Sequence, residues 1–259
     1  MDYISINSVS KVFTGKDASV QALQDINLTI NKGEFVCLLG PSGCGKSTLL
    51  NAVAGFALPT SGEILLKGRK VTEPGPDRGV VFQEYAIFPW MTVAKNIAFG
   101  LEIKGVSAKE VEERVVMLME TLKLSEFRDR FPKDLSGGMR QRVAIARLLA
   151  IDSPVMLMDE PFGALDALTR RTLQDELLRI WRESGKTILF VTHSIEESLY
   201  LASRIVVMTY RPGRIKRNQL VEMPYPRDPA GTEFNRLKRE LGELVMAEQV
   251  LYTNDELRL

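Results

Sequence analysis

Histidine is all but missing from this sequence and cysteine is scarce, with one of the first and two of the second in 259 residues. So few ligands exclude a zinc finger, a histidine-ligated metal centre or a disulfide scaffold. An excess of one charge is missing too, since 34 basic residues meet 33 acidic ones for a formal net charge of +1. No global field draws the chain to nucleic acid or to an anionic membrane, so its electrostatic work has to be local. No apolar run approaches the roughly 18 residues of a spanning helix. The opening residues carry Asp2 and then alternate polar with apolar side chains, unlike the basic and apolar blocks of a signal peptide, so a cytosolic chain is expected. Cys37 and Cys44 fall on a strand and in a glycine-rich loop, where a bridge between them would strain the loop, and reduced thiols are expected. What remains is a chain with 45% hydrophobic residues, enough for one large α/β domain or a core with a smaller appended layer.

The strongest positive signal is FVCLLGPSGCGKST, Phe35 to Thr48. Phe35–Leu39 reads as a buried strand, Gly40 to Ser47 fits G-x-x-x-x-G-K-[ST], and a helical pattern follows through Phe56. This is a P-loop. Its glycines let successive N–H groups close around a phosphate chain, and the helix behind it adds its dipole. Lys46 supplies a mobile positive charge for the terminal phosphates and Ser47 a hydroxyl for Mg²⁺.

Upstream, Ile4–Phe13 and Val20–Ile30 are β-prone segments parted by a turn at Thr14–Ser19, an expected antiparallel pair with Phe13 at its edge, where a ring can stack on a nucleobase. Downstream come a turn at Pro59–Gly62, a short strand at Glu63–Leu66, and a strand at Gly79–Phe82 that ends at Gln83, a polar side chain placed to face a ligand. Tyr85 to Trp90 is apolar and aromatic, either packed internally or covered by another protein; periodicity leaves both readings open. Ser107 and Glu110 form a capping box, with Val111, Val115, Leu118 and Leu122 along one helical face. Thr92 to Phe131 therefore reads as a helical arm inserted in the core.

LSGGMRQR, Leu135 to Arg142, is a second phosphate-binding candidate: Ser136 can cap the next helix while Gly137 and Gly138 admit an anion to its positive end. One phosphate chain does not need two such loops from one molecule, so this segment is expected to reach a nucleotide held by a partner. Val155–Met158 is a strand ending in Asp159 and Glu160, two carboxylates that can divide the work, the first on Mg²⁺ and the second on the attacking water. A loop, GALD at Gly163–Asp166, leads to a helix whose stripe of Leu173, Leu177 and Trp181 is assigned to packing. The strand Thr187–Thr192 ends at His193, which is expected to contact the terminal phosphate and hold the water and Glu160 in place. Ser194 and Glu197 then cap a helix, Ile205–Met208 is a further strand, and RPGRI at Arg211–Ile215 is a basic turn with an extended continuation to Met223. After the break at Pro224–Pro229, Phe234, Leu237, Leu241, Leu244 and Val245 mark an amphipathic terminal helix.

Taken in order, the P-loop, Gln83, LSGGMRQR, Asp159-Glu160, GALD and His193 resemble the nucleotide-binding subunit of ATP-binding cassette (ABC) transporters, from Ile4 to Gly213. The resemblance implies an α/β P-loop NTPase core with an antiparallel β layer and an inserted helical subdomain. Residues 1–223 would form the ATPase domain, with the helical subdomain at about 92–150, and residues 224–259 a short helical extension. It implies an ATPase with ATP and Mg²⁺ held between two head-to-tail subunits, identical or closely similar. Phe13 would stack on adenine; Gly40, Pro41, Ser42, Gly43, Cys44, Gly45, Lys46, Ser47 and Thr48 would hold the phosphates and Mg²⁺. Gln83 would couple magnesium and the attacking water to the membrane subunit, and Ser136, Gly137 and Gly138 would contact the terminal phosphate on the opposite subunit. Asp159 would serve magnesium, Glu160 the hydrolytic water, Asp166 the subunit interface and His193 the terminal phosphate. GPDRGVVFQEYAIFPWMTV, DEPFGALDALTR and RPGRI are similar to importers of nitrate, sulfonate, taurine, bicarbonate and related solutes. That implies two permease subunits met near Tyr85–Trp90, a separate solute-binding protein, no nucleic acid, and a place on the cytoplasmic face of the plasma membrane. An exporter subunit or a soluble ATP-gated clamp on nucleic acid or ribosomes are the alternatives; the clamp would favour duplicated cassettes, a long coiled-coil insertion or a basic surface.

Overall fold

Residues 2–15, 19–163 and 165–256 are described by a computed structural model, with side chains in the last helix described as far as residue 253. Part of the expected turn at Thr14–Ser19, namely residues 16–18, and Ala164 of GALD lie outside the described residues. In chain order the elements are β1 (Asp2–Thr14), β2 (Ser19–Asn31), β3 (Phe35–Leu39), α1 (Lys46–Ala54), β4 (Ser61–Leu66), β5 (Arg69–Lys70), β6 (Arg78–Val81), α2 (Val93–Ile103) and α3 (Ala108–Thr121). They continue with α4 (Gly137–Ala150), β7 (Val155–Asp159), α5 (Ala167–Ser184), β8 (Thr187–Thr192), α6 (Ile195–Leu201), β9 (Arg204–Met208), β10 (Ile215–Leu220) and α7 (Thr232–Glu256). These form two compact units, Met1–Gly75 with Trp181–Leu259, and Pro76–Ile180. The expected α/β core with an antiparallel layer and an inserted helical segment is what the chain adopts.

The first unit is built on strands that carry almost no polar side chain. FVCLL, TILFVT and RIVVM of β3, β8 and β9 are buried along their whole length, the signature of parallel strands covered on both faces. β3 lies between β8 and β9, with Leu39 opposite both Thr192 and Val207, and β10 closes that edge antiparallel to β9. The second layer, in the order β2-β1-β4-β5, is antiparallel, and its side chains alternate: Ile4 and Ile6 are fully buried between more exposed neighbours. Phe35 ties the core to α5 and β8, its ring meeting Trp181 edge-on at 5.6 Å and Phe190 at 5.8 Å.

Local expectations were correct in kind and off at several ends. α1 stops at Ala54, short of Phe56, because Gly55 turns left-handed (φ 86°) and its N–H returns to the Ala52 and Asn51 carbonyls. β4 starts at Ser61 inside the expected turn, Gly62 adopting φ 79° beside the Ser8 carbonyl. The extended stretch to Met223 is a strand only as far as Leu220. The terminal helix packs as expected, with Phe234, Leu237 and Leu241 buried.

In the second unit β6 and β7 pair in parallel, Val81 opposite Met158. The expected strand at Gly79–Phe82 ends one residue early, at Val81. Gly79 lets α4 pack close, since a Cβ there would require the Leu148 side chain to move. Ser107 and Glu110 do form the reciprocal capping box of α3, each at 3.3 Å, and Val111, Val115 and Leu118 are its buried stripe.

Arg227 anchors the segment that leads to α7. It is 3% exposed and spends its guanidinium on four carbonyls, Leu199 and Ala202 at 2.6 Å, Val221 and Met223 at 3.2 Å, while stacking 4.1 Å over Tyr225. Four buried acceptors lose their donor if it is removed, so Arg227→Met is expected to cost about 3 kcal/mol. Urea denaturation should show a lower midpoint with an unchanged slope; an unshifted midpoint would show that solvent replaces the donor at no cost.

Candidate functional site

The first unit presents the phosphate loop and the histidine side by side. β3 and β8 are parallel neighbours, so Gly40 after Leu39 and His193 after Thr192 leave the sheet at the same edge. The loop is closed by glycines that no other residue could replace cheaply: Gly43 and Gly45 have φ of 71° and 95°, and a Cβ on Gly45 would lie 2.7 Å from the Ala22 carbonyl oxygen. Lys46 opens α1, is 4% exposed, and folds back so that its Nζ donates to the Gly40 and Pro41 carbonyls at 2.8 and 2.7 Å, with Cys44 Sγ at 3.8 Å. Those acceptors are neutral, so the ammonium keeps its net charge for a ligand. Ser42, Gly43 and Ser47 are exposed, Thr48 is half-buried, and Pro41 and Cys44 are buried beneath them. Burial pushes the Cys44 thiol up, with Lys46 opposing, and pushes Cys37 well above the usual range, with Glu197 adding to it; both thiols are free. His193 is exposed, between Thr192 and the Ser194 that caps α6. Phe13 has 47% of its surface open, with Lys11 Nζ 5.2 Å from its ring centre.

The second unit gathers the carboxylates and Gln83. Because β6 and β7 are parallel and in register, exposed Gln83 and the pair Asp159-Glu160 emerge from the same edge. Asp159 is 9% exposed at the strand end. Glu160 is half-buried with a left-handed backbone, φ 43°, held by a hydrogen bond from the Gly163 N–H to its carbonyl at 3.2 Å. For a non-glycine residue that conformation costs about 1–2 kcal/mol, a strain kept where a side chain must be aimed. Exposed Ser136 caps α4 by accepting from the Met139 N–H at 3.3 Å. Gly137 and Gly138 form the first turn, where a Cβ on Gly138 would press on Thr169 at 3.2 Å and Leu165 at 3.4 Å. Asp166 accepts from the Thr169 N–H at 2.9 Å, which holds its carboxyl below the usual carboxylate range. Within this chain it thus caps the start of α5, a task the sequence reading did not give it.

Two residues that shape this unit were missed. Asn96 is fully buried in α2; its Oδ1 accepts from the Phe88 N–H at 2.8 Å and its Nδ2 faces the Phe88, Met91 and Thr92 carbonyls. Arg147 donates to the Ala86 carbonyl at 2.7 Å and lies 5.0 Å from the Phe88 ring centre. Between them they fix the Tyr85–Trp90 segment, in which Tyr85 and Ala86 are left-handed and Phe88 is half-buried while Trp90 is 69% exposed. Internal packing is thus realised at Phe88, while Trp90 leaves an open aromatic face. A buried asparagine inside a helical pattern was the available signal.

No group of three or more His, Cys, Asp or Glu able to hold a metal occurs among the described residues. Hard oxygen donors are present in each unit, the Ser47 hydroxyl in the first and the Asp159 carboxylate in the second, and oxygens of that kind suit Mg²⁺. Nor is any helix among the described residues long and apolar enough to cross a membrane.

Residues 23–163 match the family described as ABC transporter. The taurine import ATP-binding protein of Roseobacter denitrificans is 51% identical over 218 residues, 84% of this chain and 81% of that protein. The nitrate import ATP-binding protein of a Synechocystis strain is 46% identical over 238 residues, 92% of this chain and 90% of that one. Among solved structures, a dimeric ATP-binding cassette in a post-hydrolysis state bound to ADP and Pi superposes with a TM-score of 0.77 at 32% identity, over 85% of this chain and all of that one.

Lys46→Ala removes the one cation enclosed by the loop's own carbonyls, and binding of a nucleoside triphosphate is expected to weaken by a few kcal/mol, on the order of 100-fold or more. Titration calorimetry with Mg-ATP checks this, unchanged affinity refuting the role. Both thiols should resist Ellman's reagent at pH 8 in the folded protein and react fully in denaturant; rapid reaction of Cys44 in the native state would contradict its burial.

Proposed function

The chain belongs to the ABC transporter family, and we propose that this ATP-hydrolysing subunit powers the import of a small anionic solute of the nitrate, sulfonate, taurine or bicarbonate type. The observation that carries the reading is a likeness running nearly end to end to taurine and nitrate import subunits, on a chain whose phosphate loop and strand-end carboxylates are intact. We assign residues 1–223 to the ATPase domain with its helical subdomain at about 92–150, and residues 224–259 to an extension. The membrane-facing partners would be two permease subunits, met at the open aromatic face around Trp90, with a solute-binding protein delivering cargo on the far side. That arrangement puts the subunit on the cytoplasmic face of the membrane.

In this reading two copies, or this chain and a close paralogue, pair head to tail. The N–H groups at Gly43–Thr48 and the Lys46 ammonium take the phosphate chain of ATP, exchanging the Gly40 and Pro41 carbonyls for anionic oxygens. Phe13 stacks on the base. Ser47, Gln83 and Asp159 would hold Mg²⁺, which when bound would offset charge on the phosphates. Glu160, aimed by its left-handed backbone, accepts a hydrogen bond from the attacking water and takes its proton as the water adds. His193 donates to the terminal phosphate and steadies that water. Ser136, Gly137 and Gly138 of the opposite subunit meet the same phosphate at the positive end of α4, and Asp166 lies at the subunit seam. Hydrolysis breaks that bridge, so the pair closes on ATP and reopens on ADP.

Glu160→Gln keeps the size and loses the base, so ATP should still bind while turnover falls at least about 100-fold. In the assembled transporter, phosphate release at the wild-type rate would remove Glu160 from the role. Solute uptake into vesicles, tested with nitrate, a sulfonate and bicarbonate, identifies the cargo; ATP-dependent efflux of all of them would turn the reading to export.

A further inference from the structure

The terminal helix reaches back, through one buried carboxylate, to the loop that lies behind the phosphate-binding loop. After β9 the chain makes a tight hairpin, Thr209–Arg214, closed by the Thr209 hydroxyl, which donates to the Pro212 carbonyl and accepts from the Arg214 N–H, both at 2.9 Å. Its tip is docked on β2: the Gly213 N–H donates to Ala22 O at 3.0 Å, Gln24 N–H donates to Gly213 O at 2.9 Å, and the Arg214 guanidinium holds Gln24 Oε1 at 2.6 Å. It is also docked on the phosphate loop. A Cβ added to Gly213 would run into the Cys44 carbonyl, and one added to Gly43 would lie 3.5 Å from Arg211 Nη2 and 3.9 Å from the Tyr210 ring. The same stretch of β2 backs Gly45, where an added Cβ would lie 2.7 Å from both the Ala22 carbonyl oxygen and Leu23 Cδ2.

Glu248, on α7, holds this hairpin from the other side. It is 6% exposed, and both its oxygens are engaged: Oε2 accepts from the Tyr210 N–H at 2.7 Å and Oε1 meets Lys216 Nζ at 2.6 Å. Lys216 also donates to the Leu244 carbonyl of α7 at 3.2 Å, and Tyr252 packs edge-on against Tyr210 at 5.5 Å. A surface helix needs only an apolar stripe to stay attached, and Phe234, Leu237 and Leu241 supply one at the other end. Burying a carboxylate is costly unless it is fully paired, so this one is spent on fixing the position of residue 210.

We propose that Glu248 is a positioning residue for the nucleotide site: through Tyr210 and Lys216 it holds the hairpin whose Tyr210-Arg211 edge and Gly213 back the phosphate loop at Gly43 and Cys44. This rests on the reading of that loop as the ATP site and extends it to the C-terminal helix, which then belongs to the site's support. Releasing the hairpin loosens the backing of Gly43, whose N–H is among those that must point at phosphate, so the cost appears in binding more than in chemistry.

The test uses the full-length chain and Mg-ATP, with calorimetric affinity and thermal melting recorded on every variant and kcat and KM measured in the assembled transporter. Glu248→Ala should weaken Mg-ATP binding and raise KM about fivefold to tenfold, with kcat within about twofold. Glu248→Gln keeps an oxygen for the Tyr210 N–H and should lose less, and Glu243→Gln, exposed on the same helix, should lose nothing. Should the alanine variant fail to fold, Lys216→Met carries the test with the same expected direction. A lowered melting temperature with wild-type affinity and KM in Glu248→Ala, or in Lys216→Met, means the helix only adds stability and overturns the proposal. Lys46→Ala separates the two levels: loss of binding there with none at Glu248 leaves the ATP site standing without this support, and a wild-type chain that binds no Mg-ATP sinks both.

Discussion

A lysine ammonium held by two backbone carbonyls, with a thiol sulfur beside them, is the interaction on which the site depends. Lys46 is buried and bonded to the Gly40 and Pro41 oxygens of its own loop. A buried carboxylate partner would have held it more firmly and cancelled its charge. Carbonyl dipoles solvate the cation well enough to keep it inside and leave the positive charge uncancelled, so a phosphate chain gains a strong partner at small cost. The requirement fixes much else. Gly43 and Gly45 turn left-handed, with the Arg211 and Tyr210 side chains beside the first, and the Ala22 carbonyl and Leu23 side chain so close to the second that it has no room for a Cβ. The continuous apolar strands β3, β8 and β9 then serve as the rigid edge from which the loop and His193 both spring.

Much of this was legible because the informative contacts are close in sequence. The phosphate loop is eight consecutive residues between a strand and a helix, and the Ser136 and Ser107 caps are settled within one turn. The strand-end carboxylates follow from a short apolar run and two letters. Element ends were less legible. Whether α1 continues to Phe56 depends on Gly55, whose left-handed turn lies hard against the Glu73 and Pro74 backbone. Side chains that work at a distance were not legible at all. Arg227 serves carbonyls at the end of α6 and in the segment after β10, up to 28 positions away, and nothing in a proline-rich break distinguishes it from a solvated arginine. Asp166 showed the opposite limit, where a residue placed by resemblance at a subunit seam turns out to have a local task as well, capping α5.

Some of the backbone strain lies where chemistry is expected. Three of the non-glycine residues with positive φ are Tyr85, Ala86 and Glu160, on the loops that leave the carboxyl ends of β6 and β7. Each is held by neighbours that leave it little freedom: Arg147 on the Ala86 carbonyl, Asn96 beneath Phe88, Gly163 on Glu160. A relaxed loop at Glu160 would let the carboxylate sample many positions, and a general base gains from having one. Gln141 carries a further cost: its amide is fully buried and neither its Oε1 nor its Nε2 finds a partner among the described residues, about 1–3 kcal/mol per group.

The composition now has a physical explanation. A chain that binds a polyanion yet carries a formal charge of +1 cannot rely on long-range attraction, and it does not need to. Its cation is buried inside the loop, where screening is weak, and its other donors are N–H groups, which carry no net charge. A strongly basic surface would raise affinity for every phosphate in the cell, nucleic acid included, without favouring one nucleotide. Placing one ammonium among carbonyls in the first unit, and two carboxylates at a strand end in the second, keeps each of these fields local.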